Sequence, residues 1–170
     1  MVMKASKHRD RPNRVKRLSR LKLRDEEQLS LLRLALDTMA ARFQPGATMS
    51  NPQLARDYLR LKLGERHNEI FGCVFLDNRH RIIAFDELFR GTIDGTTVYP
   101  RVVVQRALEV NAAAVLLFHN HPSGVAEPSA ADESITRRLK DALSLVDIRV
   151  IDHIVVALEG TTSLAERGYL

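Results

Sequence analysis

The sequence has one cysteine, Cys73, so no internal disulfide framework can staple it, and the chain suits a reducing compartment. It has no apolar run of the roughly 20 residues that a membrane-spanning helix needs. Its opening stretch, MVMKASKHRDRPNRVKRL, is basic but lacks the apolar segment of a secretory signal. A cytoplasmic setting with no membrane partner is the expectation. A serine hydrolase of the nucleophile-elbow type is unsupported, because no Gly-x-Ser-x-Gly occurs. A lone cysteine also excludes the Pro-Cys-x-x-Cys segment of zinc deaminases. No internal repeat and no low-complexity stretch is present.

What is present is a chain of 170 residues, enough for one domain plus a modest extension, with apolar and charged fractions ordinary for a globular fold. Charge is unevenly placed. Residues 1–24 carry ten Lys/Arg against the single acid Asp10, a charge of +9; the whole chain is +5, leaving −4 for residues 25–170. The high isoelectric point therefore belongs to a basic arm, expected to be disordered, which can either solubilise the chain or contact nucleic-acid phosphates. No aromatic residue is interleaved in the arm, so base stacking by it is not indicated.

Periodicity gives the elements. Leu29, Leu32, Leu36, Met39 and Phe43 recur at helical spacing from Asp25 to Gln44, with acids in the first turn. Residues 25–49 thus read as a helix and linker. Ser50-Asn51-Pro52 reads as a cap followed by proline at the first helical position, opening a helix of about 52–63. Ile70 to Leu76 is nearly continuous in apolar residues, as a strand covered on both faces would be. Asp77 to His80 is turn-like, and Arg81 to Phe89 is the returning strand of a hairpin. A helix from Pro100, a buried strand at Ala113–Phe118, a helix over 129–146 and a strand at Val150–Leu158 complete an α/β pattern. The expected fold is a mixed sheet flanked by helices.

The chemistry concentrates in Phe118-His119-Asn120-His121-Pro122-Ser123-Gly124, followed by Ser129 and Asp132. Residues two apart on a strand share a face, so His119 and His121 can offer imidazoles to one metal ion. Asp132 falls in the first turn of the next helix, from which it can reach back toward the strand end. Two histidines and a carboxylate leave a fourth tetrahedral position for water, the pattern of a catalytic zinc site; bound zinc brings that water's pKa to roughly 7. Plain readings compete. Ser129-Ala-Ala-Asp132 also fits a capping box, and the two histidines could be surface residues.

The spacing His-x-His, Ser eight residues on and Asp eleven on is that of the JAMM motif of JAB/MPN metalloproteases. Phe85–Thr92, Tyr99-Pro-Arg101, Arg106–Ala114, His119–Gly124 and Asp152-His-Ile-Val155 resemble the RadC family more closely, over about residues 50–170. The resemblance implies a JAB/MPN, cytidine-deaminase-like three-layer architecture for that segment. It implies His119, His121 and Asp132 as zinc ligands, Ser129 as a hydrogen-bond donor to a developing oxyanion, and a glutamate on an earlier strand as general base. Glu87, flanked by Phe85 and Phe89, matches that glutamate; Asp86 and Glu69 are weaker candidates, Asp86 being expected on the opposite face. Val125-Ala126 replace the acid and proline usual after the His-Pro-Ser-Gly segment, a change that removes no ligand. The first 49 residues show no Gly-rich helix-hairpin-helix module, which longer RadC-like chains carry.

Two functions compete. The first is a zinc metallopeptidase or isopeptidase acting on a peptide or protein substrate. The second is a DNA-repair-associated, nucleic-acid-binding accessory protein with a structural or vestigial zinc site, supported by the +9 arm and the association of RadC-like proteins with repair. A His-Asn-His nuclease does not fit, because those enzymes spread the three residues over a hairpin and helix. Arg90 reads as a structural ion-pair partner, Asp152-His153 as a hydrogen-bonded core pair, and Cys73 as inert packing.

Overall fold

The computed structural model describes residues 23–49, 51–92 and 96–170. The basic arm expected over residues 1–24 lies outside these except for its last two residues, as do Ser50 and the Asp94-Gly95 loop. None of the described helices is long and apolar enough to cross a membrane.

Helix α1 spans Asp25–Ala40 and begins with three acids, Asp25, Glu26 and Glu27, against the positive end of its dipole. Glu27 accepts the Arg24 backbone N–H at 2.8 Å. The α-helix stops at Ala40 and tightens into a 3₁₀ turn, Ala41–Phe43, before Pro45-Gly46. Its apolar stripe is buried only at that end. Phe43 stacks on Tyr58 with centroids 4.3 Å apart, and Met39 packs on the core, whereas Leu29 and Leu32 are exposed.

Helix α2, Pro52–Leu63, is capped by Asn51, whose Oδ1 accepts the N–H groups of Gln53 at 2.9 Å and Leu54 at 3.3 Å. Strands β1, Ile70–Leu76, and β2, Ile82–Arg90, form the hairpin. Its turn is tied by Asp77 Oδ1, which accepts from the backbones of Arg79 and Arg81. Helix α3 (Pro100–Glu109), strand β3 (Ala114–Asn120), helix α4 (Ala130–Ser144), strand β4 (Arg149–Val156) and the short β5 (Thr161–Ser163) follow.

The sheet order is β2-β1-β3-β4-β5; β3 and β4 are parallel across the α4 crossover and the other pairs antiparallel. Strands β1 and β3 are buried along their whole length, which explains their unbroken apolar sequences. One core cluster, with Leu59, Leu63, Val74 and Phe118, lies on the α2 side of the sheet; the other, with Phe71, Phe75, Val103, Leu139 and Leu143, lies on the α3/α4 side. The chain is therefore α/β with a five-stranded mixed sheet between helical layers, as the sequence pattern predicts.

Gly72 makes part of this packing possible. A β-carbon there would stand 2.3 Å from Phe118 Cζ and 2.4 Å from the Asp86 carbonyl oxygen, so β1 admits no side chain at this one position of its α2 face.

Candidate metal centre

The buried strand β3 carries His119 into the α3/α4 layer beside Phe71, its cross-strand partner. The strand pairing continues one residue past β3, with His121 N donating to Val156 O at 2.8 Å, so His121 projects to the same side as His119. The two Nε2 atoms stand 2.9 Å apart. Asp132, in the first turn of α4, places Oδ1 3.1 Å from His119 Nε2 and Oδ2 3.3 Å from His121 Nε2. His119, His121 and Asp132 form a group able to hold a metal ion, with ligand atoms all within 4.8 Å of one another.

Both plain readings of the sequence are met in part. The capping box forms: Asp132 Oδ2 accepts from Ser129 N at 2.7 Å and from Ser129 Oγ at 2.6 Å, and Ser129 Oγ accepts from Asp132 N. The cap's hydrogen bonds converge on Oδ2, which also faces His121, and leave Oδ1 toward His119. His119 is buried, 1% exposed, and His121 is partly buried at the cleft.

The donor chemistry fits a cation. The Val125 carbonyl can only accept, so at 2.9 Å it takes the proton of His121 Nδ1 and leaves Nε2 of the neutral ring with its lone pair. Since the acceptor is a backbone atom, valine at position 125 costs nothing. The two ring nitrogens and the Asp132 carboxylate, whose Oδ1 faces one ring and Oδ2 the other, thus set electron-rich atoms around one place, and histidine nitrogen with carboxylate oxygen is a donor set that suits zinc. A proton competes with a cation for the same place: burial pushes Asp132 upward, but when the imidazoles carry a proton on Nε2 their hydrogen bonds, with that of Ser129, prevail and hold its carboxyl far below the usual range. In that protonated form the hydrogen bond to Asp132 raises the His121 pKa, against its burial.

A cleft of about 480 Å³ opens beside the cluster, lined by Glu69, Thr97, His121, Ser129, Asp132 and Arg138 among others. Glu69 immediately precedes β1 and shares strand parity with Phe71, which places it on the α3/α4 side. Burial raises its carboxyl pKa; the charges of His119 and His121 oppose the rise and that of Asp132 adds to it.

Glu87 is not brought to this centre. Phe71 pairs with Phe89, but the next residue of β1, Gly72, pairs with Glu87, so Leu88 is an extra residue in β2. This β-bulge breaks the two-residue alternation and puts Phe89 and Glu87 on opposite faces. Glu87 sits on the α2 side, exposed, with its carboxylate 3.9 Å from both Lys62 Nζ and Arg66 Nη2. Asp86 does lie on the other face, bonded to Arg106 of α3 at 2.7 Å. Among the carboxylates weighed as a base, Glu69 is the one that borders the metal group.

Two residues around the centre, Asn120 and Thr136, escaped the sequence pattern, and a third, His153, was read only as a partner of Asp152. Asn120, between the histidines, points the opposite way: Oδ1 accepts from Ile70 N at 2.8 Å, and Nδ2 donates to the carbonyls of Asn68 and Arg66 at 3.2 and 3.4 Å. It thereby holds the segment bearing Glu69. A polar side chain at the end of an otherwise apolar buried strand was the available signal. His153 and Thr136 lie behind His119, with His153 Nε2 2.8 Å from His119 Nδ1 and Thr136 Oγ1 2.6 Å from His153 Nδ1. Asp152 and His153 are hydrogen-bonded, through the His153 backbone N–H rather than its ring; Asp152 also accepts from Ser163 Oγ and the Ala165 backbone N–H, while burial and then the neighbouring charge of His119 push the His153 ring well below its ordinary pKa. Cys73 is buried, and burial raises its thiol above the ordinary range.

A helix-flanked mixed sheet with a His-x-His strand end and a helix-borne aspartate is the architecture of a JAB/MPN domain. Residues 49–169 match the RadC-like JAB domain, and the chain belongs to that family. It is 52% identical over 141 residues to a UPF0758 protein of Stutzerimonas stutzeri (strain A1501), covering 83% of this chain and 63% of the relative. A UPF0758 protein of Nitrosococcus oceani is 62% identical over 125 residues, covering 74% of this chain and 56% of the relative. The chain thus spans less than two thirds of the length of these curated relatives.

Proposed function

We propose that this chain is a zinc-dependent hydrolase of the JAMM type, cleaving amide or isopeptide bonds in a peptide or protein substrate. The observation that carries the reading is the convergence of His119 Nε2, His121 Nε2 and a carboxylate of Asp132 beside an open cleft that also presents Glu69. His119, His121 and Asp132 would hold the ion. Zinc, when bound, supplies a Lewis acid that polarises a carbonyl and makes a water acidic near neutral pH.

The chain's own groups supply the rest. Glu69 takes the proton of the attacking water and returns one to the leaving amine; its raised pKa brings it closer to the neutral range in which general catalysis is efficient. Ser129 orients Asp132 in the resting arrangement, its only hydroxyl hydrogen being directed at Oδ2. Donation to a developing oxyanion, the role the family resemblance suggests, requires that hydroxyl to turn toward the cleft. Arg138 on the cleft wall offers a cation to an acidic or carboxylate-bearing substrate. A cytoplasmic setting suits the single buried Cys73.

The test is metal analysis of the purified protein paired with Glu69→Gln and Glu87→Gln in a peptide and isopeptide cleavage screen. Glu69→Gln should retain zinc and lose cleavage, while Glu87→Gln should retain both. Absence of stoichiometric zinc, or full activity in Glu69→Gln, would refute the assignment.

The second reading, a nucleic-acid-binding accessory protein, is favoured by the +9 charge of residues 1–24. Duplex-DNA titrations at several salt concentrations, with and without those residues, test it. Identical weak binding by both forms would remove the arm from the argument.

A further inference from the structure

Behind the metal group runs a chain of hydrogen bonds that ends where it begins, on the ligands. Thr136 on α4 bonds through Oγ1 to the backbone carbonyl of Asp132 one turn earlier, and the same Oγ1 lies 2.6 Å from His153 Nδ1. His153 on β4 continues through Nε2 to His119 Nδ1 on β3. His119 Nε2 then faces Asp132 Oδ1 at 3.1 Å, closing a circuit through three elements. Thr136 and His153 are both fully buried, so no water competes for these atoms.

The direction of the circuit follows from elementary bonding. A carbonyl oxygen only accepts, and a threonine hydroxyl has one hydrogen. That hydrogen goes to the Asp132 carbonyl; the reverse would set two oxygens lone pair to lone pair at bonding distance. Oγ1 is then left as an acceptor, and His153 Nδ1 must donate to it. The neutral His153 ring has no proton on Nε2, which therefore accepts from His119 Nδ1–H. With its proton held at Nδ1, His119 has its lone pair at Nε2, the atom that faces His121 and Asp132.

We propose that Thr136 and His153 are positioning residues that set the tautomer of His119 and so reserve its Nε2 for the metal. The proposal rests on the reading of the group as a metal centre. It also explains why polar residues at 136 and 153 lie in an otherwise apolar layer: they extend the fixed polarity of one backbone carbonyl to a ligand on another element. Outer partners of ligating histidines of this kind are worth 10–100-fold in metal affinity.

The experiment uses the full chain labelled with ¹⁵N-histidine. In the metal-stripped wild type at alkaline pH, long-range ¹H–¹⁵N spectra should show His119 and His153 protonated at Nδ1. Zinc affinity is then measured by competition with a chromophoric chelator. Thr136→Val keeps the side-chain shape but removes the hydroxyl. It should weaken zinc binding by about 10–100-fold and let His119 populate the Nε2–H form. Thr136→Ser should restore both to near wild type. A wild-type His119 protonated at Nε2 overturns the proposal without any variant. So does a folded Thr136→Val that keeps the wild-type tautomer and a zinc Kd within about twofold. A wild type that shows the Nδ1–H tautomer yet binds no zinc would refute the hydrolase reading instead, so the two failures are distinguishable.

Discussion

Asn120 offers the most direct test of how the centre is assembled, because its side chain joins the ligand strand to the segment that carries Glu69. In Asn120→Ala the buried N–H of Ile70 loses its acceptor, and two carbonyls, on Asn68 and Arg66, lose longer bonds of 3.2 and 3.4 Å. Orphaning one buried donor costs about 1–3 kcal/mol. The two carbonyls belong to exposed residues that water can reach, so they add little. Truncating a side chain that is 1% exposed leaves a small void as well. The sum is about 2–4 kcal/mol, or a fall in Tm of roughly 5–15 °C for a domain of this size. Asn120→Asp sharpens the test. It keeps an acceptor for Ile70 N but sets a buried carboxylate against two carbonyl oxygens, and should be the worse variant near neutral pH. Thermal and urea unfolding of the three proteins, with zinc affinity measured alongside, is the assay. An Asn120→Ala protein melting within about 2 °C of wild type, or an aspartate variant more stable than the alanine one, would refute the reasoning.

Other consequences follow from the same geometry. Gly72→Ala forces a β-carbon against Phe118 and the Asp86 carbonyl; overpacking of this kind costs about 1–3 kcal/mol or more, readable as a lowered urea midpoint. Burial raises Glu69, and its base form is the carboxylate, so activity should be lost as pH falls through a value above the ordinary glutamate pKa; a pH–rate profile locates that limb. If a chelator removes a stabilising ion, the melting temperature should drop, since saturation at 100-fold over Kd contributes about 2.7 kcal/mol; scans with and without chelator show it. Val125→Ala should leave zinc affinity unchanged, because His121 uses the backbone carbonyl at that position.

Much of this protein could be read from local chemistry. The capping asparagine and proline that open α2, the unbroken apolar strands β1 and β3, and the alternation that places His119 and His121 on one side each depend on neighbouring residues along the chain. Helix α1 was legible as a helix, but which of its leucines are covered was not, because that depends on how it seats on α2. The placement of Glu87 was the principal difference between the sequence reading and the structure. Glu87 met the local criteria for a site residue, but the register of β2 against β1 contains one extra residue at Leu88, and this reverses the alternation between Phe89 and Glu87. Glu69 lay in a polar segment with no periodicity of its own, and bonds from distant segments fix it beside the cluster: Asn120 holds its neighbours, and Gly91, Thr92 and Thr96 hold its own backbone. The circuit through Thr136 and His153 is likewise invisible along the chain, since it joins α4, β4 and β3. Sequence alone determined the candidate group His119, His121 and Asp132, because strand alternation and helix capping act over a few residues. Tertiary structure alone decided which carboxylate and which outer residues stand beside it, because sheet register and layer packing set contacts between distant segments.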